Sequence, residues 1–220
     1  MNIGIIGAGN AGRTLGSALA KQGYSVMLGS RQPEKLAEWV QIENADNPSI
    51  FVGTFSEAAA FGELLIHAIT GRKAIEALNL AGETNLDGKV LLDVSLPIDF
   101  TEGRMTLFTQ TGESLGERIQ SAFPGAKVVK VMNHIAAGVM VNPNRVADGD
   151  HDLFMCGNDA AAKQAVSTLL TQAFGWKRIY DLGDISAAQA TEGLALLASR
   201  VASVLGHGMM NFKVSQSTSS

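Results

Sequence analysis

The stretch Asn2-Ile3-Gly4-Ile5-Ile6-Gly7-Ala8-Gly9-Asn10-Ala11-Gly12 decides the fold. Residues 2–6 are apolar enough for a buried strand. Residues 11–22 place Leu15, Ala18 and Leu19 on one helical face, and Gly23 is positioned to close that helix. Between the two, Gly7 to Gly12 spells GxGxxG. A chain with 24 glycines produces this pattern by chance, but a strand before it and a helix after it give it meaning. In that setting Gly7 permits a tight turn, Gly9 lets the backbone approach a pyrophosphate, and Gly12 lets the helix lie close to the sheet. The helix amino terminus adds free N–H groups and the positive end of its dipole. Gly7, Ala8, Gly9, Asn10, Ala11 and Gly12 are therefore expected to hold the pyrophosphate of a dinucleotide.

Outward from this loop, short apolar runs alternate with helical patterns. Strands are predicted over residues 24–28, 49–52, 64–69, 89–94 and 127–132, and helices over 33–41, 56–61, 72–81 and 114–122. The rhythm predicts an α/β fold, a Rossmann-type doubly wound, mainly parallel sheet covered by helices on both faces. Strands over 152–156 and 177–180 flank a helix over 160–173, and a long helix follows over 186–205. They form a small carboxy-terminal β-α-β-α extension, over about residues 150–212, of a single unit spanning 1–220. Residues 100–112 are polar and irregular, as a loop over a site would be. In the long helix Ala187, Ala190, Leu194, Leu197, Val201 and Val204 form an apolar set at helical spacing and are expected to be buried, on more than one side. Leu196 and Leu205 widen that stripe, and a subunit interface is expected to cover it. The polar tail from Ser215 is expected to fray.

Composition narrows the function classes. Hydrophobic residues make up 46% of the 220, and seventeen basic against twenty-one acidic residues leave a net charge of −4. No basic block stands out, so nucleic acid is not an expected partner. Cys156 is the one cysteine, which excludes an internal disulfide and any CxxC zinc site. The first residues lack a basic leader, and no run approaches the ~18 apolar residues of a membrane helix. A cytoplasmic protein without membrane contact is expected.

Cofactor choice is read at the end of the second strand. An acidic residue there accepts hydrogen bonds from a ribose 2′-OH, as NAD requires. This chain has Gly29-Ser30-Arg31-Gln32 instead, with no acid before Glu34. A hydroxyl beside a guanidinium fork matches a 2′-phosphate, so Ser30 and Arg31 predict NADP(H). The alternative is that Ser30 caps the next helix and Arg31 is merely solvated.

Further motifs follow in order: Phe123-Pro124-Gly125-Ala126-Lys127-Val128-Val129-Lys130-Val131-Met132-Asn133, then Asp152-Leu153-Phe154-Met155-Cys156-Gly157-Asn158-Asp159 with Ala162-Lys163, then Tyr180-Asp181-Leu182-Gly183. With the glycine loop and Gly29-Ser30-Arg31, these resemble the F420-dependent NADP oxidoreductase family, which includes the reductase domain of the metal-reducing STEAP membrane proteins. The likeness runs over nearly the whole chain. It implies a Rossmann fold, NADPH at the glycine loop and hydride exchange with F420 or a flavin such as FMN or FAD. It also implies a homodimer, with Ser30 and Arg31 at positions that hold the 2′-phosphate.

Hydride transfer between a nicotinamide and a planar ring needs orientation more than acid–base groups. Open α/β sheets bind ligands beyond the carboxyl ends of their strands. That places Ala68-Ile69-Thr70, Val94-Ser95-Leu96-Pro97 and Asn133-His134-Ile135-Ala136 around the cofactor. Ala68, Ile69, Thr70 and Ser95 are the expected cofactor contacts, and Asn133 and His134 the candidate catalytic residues. His134 reads equally as a structural group bonded to a neighbouring loop. His67 and Cys156 read as core groups. Asp148, Asp150, His151 and Asp152 crowd together as an ordinary turn does, and no metal site is expected. Met209, Met210 and Phe212 suit a dimer contact or a lid over a planar ring. Three functions fit: an NADPH oxidoreductase acting on a small-molecule redox acceptor, a non-catalytic NADPH-sensing module, and a reductase of a small carbonyl or imine. The short chain beyond Ser186 leaves little room for the helical domain of the last.

Overall fold

The computed structural model describes residues 1–45, 49–69 and 71–217. From β1 (Asn2–Ile6) the chain passes through the glycine loop into α1 (Asn10–Lys21), β2 (Ser25–Gly29), α2 (Ala37–Glu43) and β3 (Ile50–Gly53). It then returns through α3 (Phe55–Phe61) to β4 (Leu64–His67), α4 (Ala74–Ala81), α5 (Glu83–Leu86) and β5 (Val90–Asp93). Thr54 starts α3 with a reciprocal cap, its hydroxyl accepting from Glu57 N while the Glu57 carboxylate accepts from Thr54 N. After β5 come β6 (Ile98–Thr101), β7 (Arg104–Leu107), α6 (Leu115–Ala122), β8 (Lys127–Val131) and α7 (Ala137–Met140). The chain ends through β9 (Leu153–Gly157), α8 (Ala160–Phe174), β10 (Ile179–Asp181) and α9 (Ala188–Leu205).

Eight strands form one sheet in the order β10-β9-β8-β5-β4-β1-β2-β3. Every neighbouring pair is parallel except β8 and β9, which run antiparallel. α1, α7 and α8 bury Leu15, Leu19, Val139, Val166 and Leu170 against one face. On the other face α3, α4 and α6 bury Phe55, Ala58, Leu78, Leu115 and Ile119. Covered on both sides, the central strands are mostly apolar, as in other doubly wound sheets, with His67, Asp93 and Lys130 the buried exceptions. Strand order reverses between β1 and β4, which opens a crevice at their carboxyl ends.

Three expectations need correction. Residues 100–112 do not form a plain loop, because β6 and β7 make an antiparallel hairpin. Glu102 and Gly103 turn it with φ of 51° and 74°, the positive pair that a two-residue hairpin turn needs. The helix expected over 33–41 starts as a tighter 3-10 turn over Pro33–Leu36 before α2 begins. The third correction concerns α9. Its buried positions are Ala188, Thr191, Glu192, Ala195 and Ala198. The larger apolar residues Leu197, Val204 and Leu205 are 52%, 87% and 50% exposed. Small side chains let α9 approach the sheet closely, and Glu192 is drawn inward by a buried cation. Just before the tail, Val214 N donates to Asp152, and within it Gln216 donates to the Tyr180 hydroxyl, while residues 218–220 lie outside the described residues.

Candidate functional site

The glycine loop has the geometry its spacing implies. Gly7 takes φ 125°, and a Cβ there would stand 2.5 Å from the Ala68 carbonyl oxygen. A Cβ on Gly12 would meet the Gly7 carbonyl oxygen at 1.9 Å, so only glycine lets α1 sit this near the turn. Gly9 differs, because a Cβ there would meet nothing within 4 Å. Gly9 is the N-cap of α1, with no side-chain cap and no acidic residue in the first turn. The amino-terminal N–H groups therefore face open space above Gly9, which is what a pyrophosphate requires. Arg13, which the sequence reading passed over, braces the loop by donating from Nε to the Ala8 carbonyl at 2.9 Å, while its guanidinium lies over Trp39.

A cleft of about 230 Å³ runs from this loop across the strand ends, lined by Gly9, Asn10, Ala11, Ala68, Ile69 and Ser95 among others. Six of the expected cofactor contacts thus meet in one place. Thr70 lies outside the described residues. Ile69 also borders a smaller hollow with Arg31, Lys73 and Glu76. Arg31 is exposed there, and Ser30 makes both its backbone bond to Gly53 and a turn in which its hydroxyl accepts from Gln32 N. The hydroxyl hydrogen of Ser30 stays available to a phosphate oxygen.

At the far end the cleft shares Leu96 with a second pocket of about 320 Å³. Asn133, His134, Met105, Met210 and the α9 residues Ala195 and Ser199 help to line it. Met132 turns the chain into this pocket at the end of β8 with φ 61°, a conformation uncommon for a residue with a side chain. Asn133 is buried; its Nδ2 donates to the Thr191 carbonyl at 2.9 Å, while its Oδ1 has no partner among the described residues. His134 is 6% exposed and packs beside Phe154 and Phe212. Burial pushes its imidazole down to about 4, against a weaker opposing contact from Asn211, so the ring is neutral near pH 7. Met210 lines the pocket and Phe212 flanks His134, while Met209 packs on the core. The Asp148 to Asp152 run is occupied with structure, since Asp150 and Asp152 hold Arg178 and His151 bonds the Pro143 carbonyl.

Beneath these clefts lies a feature that sequence reasoning missed. His67, Asp93, Lys130 and Cys156 stand side by side on β4, β5, β8 and β9, in paired register and all fully buried. His67 Nδ1 and Asp93 Oδ1 are 2.8 Å apart. The Lys130 ammonium donates to Asp93 Oδ2 at 2.8 Å and to the Ser95 carbonyl at 2.6 Å, and lies 3.0 Å from Glu192 Oε1. Burial alone would raise the Asp93 carboxyl, but Lys130 and His67 overcome it and hold the group well below the usual carboxylate range. Burial likewise opposes the Lys130 charge, and Asp93 and Glu192 more than restore it. The Cys156 thiol, by contrast, is pushed up to about 12 by burial. His67 is only half satisfied, because its Nε2 has no partner. The signal available in the sequence was a lysine inside the apolar run Lys127-Val128-Val129-Lys130-Val131, since lysine is almost never fully buried unless paired.

Residues 2–97 match the family described as NADP oxidoreductase, coenzyme F420-dependent. A solved structure from Arthrobacter sp. FB24, provisionally named an F420-dependent NADP-reductase, is 42% identical, with a TM-score of 0.92 over 98% of this chain and 100% of that one. The chain belongs to the F420-dependent NADP oxidoreductase family. An F420-dependent NADP reductase of Methanocaldococcus jannaschii is 26% identical over 90% of this chain and 90% of its own. Metalloreductase STEAP3 of Rattus norvegicus is 32% identical over 88% of this chain, which spans only 36% of that relative's length. The family match takes in the glycine loop, Arg31 and Ser95. The likeness to the Arthrobacter structure, over 98% of this chain, also takes in the Asn133–His134 pocket. No helix among the described residues is long and apolar enough to cross a membrane.

Proposed function

We propose that the protein is an NADPH-dependent oxidoreductase that exchanges hydride with a planar redox acceptor, F420 or a flavin. One observation carries the reading: the glycine-loop cleft and the Asn133–His134 pocket adjoin at Leu96, so two ring systems have neighbouring seats. The α1 amino terminus and the open space over Gly9 hold the pyrophosphate, and Ser30 and Arg31 take the 2′-phosphate. Ser95 and the backbone at Ala68 and Ile69 line the nicotinamide end. The nicotinamide supplies or accepts the hydride when bound. Asn133 offers a buried, unsatisfied carbonyl oxygen to an N–H of the acceptor, and His134, being neutral, orients it without adding charge. Ala195 and Ser199 give a low wall against which a flat ring can lie. The exposed Leu197, Val204 and Leu205 support a homodimer in which a second copy covers α9.

Rapid mixing with NADPH and either F420 or FMN, following loss of the dihydronicotinamide absorbance, tests this. Acceptor-dependent oxidation that saturates with acceptor is expected. Tight NADPH binding with no oxidation by either acceptor would refute the catalytic reading and favour a sensing module. Preferred oxidation of NADH would refute the assignment of Ser30 and Arg31.

A further inference from the structure

Lys130 lines neither cleft, yet it is bonded to Ser95, which lines one, and to Glu192 on α9, the helix that walls the other. We propose that Lys130 is a positioning residue that holds Ser95 and α9 in one frame, fixing the nicotinamide cleft relative to the acceptor pocket. The inference rests on the cofactor reading above and adds to it a residue that touches no ligand.

An ammonium has three donors, and here all three have partners on different elements. Asp93 belongs to β5, Ser95 to the loop that lines the cofactor cleft, and Glu192 to α9. Ser95 is fixed from a second direction, because its N–H donates to Asp93 Oδ1 at 3.0 Å. Glu192 in turn accepts from Leu115 N at 2.8 Å and Gly116 N at 3.0 Å, which ties α9 to the start of α6. One residue before Glu192, the Thr191 carbonyl receives the Asn133 amide. The acceptor-pocket wall is thus connected to the floor of the cofactor cleft through a single cation.

Stability alone does not call for this arrangement. A buried ion cluster is generally no more stable than well-packed apolar side chains of the same volume. Directionality separates the two. An apolar residue at 130 fills space but cannot aim the Ser95 carbonyl or set how far along its axis α9 docks. Charged hydrogen bonds in a low-dielectric interior do both.

The test compares two ligands on wild type, Lys130→Met and Lys130→Met/Glu192→Gln. NADPH reports the whole cofactor site, whereas 2′,5′-ADP carries the adenosine and the 2′-phosphate but no nicotinamide. Lys130→Met is expected to weaken NADPH about 10-fold, the equivalent of one hydrogen bond, and to leave 2′,5′-ADP within about twofold. Emission of the bound dihydronicotinamide should fall in parallel as its surroundings loosen. The double variant removes one stranded carboxylate and gives the same split where the single variant does not fold. Equal losses for both ligands would reduce Lys130 to a structural role and overturn the proposal, as would unchanged NADPH affinity with unchanged emission. Wild-type protein that binds neither ligand refutes the cofactor reading itself, and this inference with it.

Discussion

Two single-methyl additions in the glycine loop separate folding from binding. At Gly12 the added carbon would stand 1.9 Å from a backbone oxygen, which cannot rotate away, so α1 or the turn must move. Overpacking of this kind costs typically 1–3 kcal/mol, and a backbone obstacle puts Gly12→Ala near ~3. For a chain of this size that is roughly a 6–12 °C fall in melting temperature. At Gly9 the backbone lies at φ −75° and ψ −169°, a region open to alanine, and the added carbon meets nothing within 4 Å. The loss of a tolerated N-cap glycine and the gain from a stiffer unfolded chain are each below ~1 kcal/mol and opposite in sign. Gly9→Ala should therefore melt within ~2–4 °C of wild type. Its methyl nevertheless fills the space assigned to the pyrophosphate, and NADPH affinity should drop by ~5- to 150-fold, the equivalent of ~1–3 kcal/mol. Thermal melts of both variants, with calorimetric NADPH titrations, measure the two quantities. Wild-type NADPH affinity in Gly9→Ala would show that the pyrophosphate does not cross Gly9. A melt as low as that of Gly12→Ala would show that the loop is tighter than described.

Arg31→Ala should weaken NADPH by ~10-fold or more and leave NADH nearly unchanged, with the preference for NADPH shrinking as salt is raised. Parallel titrations decide it, and equal losses for the two nucleotides would place Arg31 outside the 2′-phosphate site. His134 gives a pH signature: its folded value of about 4 lies below the ordinary 6.5, so the unfolded chain takes up a proton first. Its contribution is therefore complete above ~6.5 and lost as pH falls toward 4, by up to ~3 kcal/mol. Urea unfolding across that window should show wild type losing more stability than His134→Gln, and identical losses would contradict the buried neutral ring. Val204→Glu combined with Leu205→Glu should sediment as a folded monomer, whereas wild type is expected to sediment as a dimer. A wild-type monomer at micromolar concentration would remove the interface.

Local grammar made most of the fold legible. Strand–GxGxxG–helix at Asn2 to Gly12 is a short-range pattern, and each of its parts appears where the residues put it. The hairpin at Glu102-Gly103 was also written locally, in alternating apolar residues around a turn pair, but the polarity of the segment obscured it. Partners distant in the chain were not legible. Glu192 breaks the apolar stripe of its helix, and only partners far away in sequence, Lys130 with Leu115 N and Gly116 N, explain why that side faces inward. Asn133 and His134 were placed correctly at a strand mouth, yet nothing local showed that the Asn133 amide is half occupied by the Thr191 carbonyl. Thus the geometry of the glycine loop was readable from neighbours in sequence. The shape of the Asn133–His134 pocket depends on how a late helix docks.

The row formed by Asp93, Lys130 and Glu192 also constrains how this sequence can change over time. Removing Lys130 leaves the buried Asp93 and Glu192 without their shared counterpart, at ~3–5 kcal/mol, a large share of the stability of an ordinary domain. Replacing the members together is nearly neutral for stability, though it gives up the alignment of Ser95 with α9. Substitutions at these three positions should therefore be inherited as a set, with the intermediate single changes rare among descendants. An alignment of relatives would show the row either wholly charged or wholly apolar, a covariation across strands and helix that no adjacent pair of residues would display.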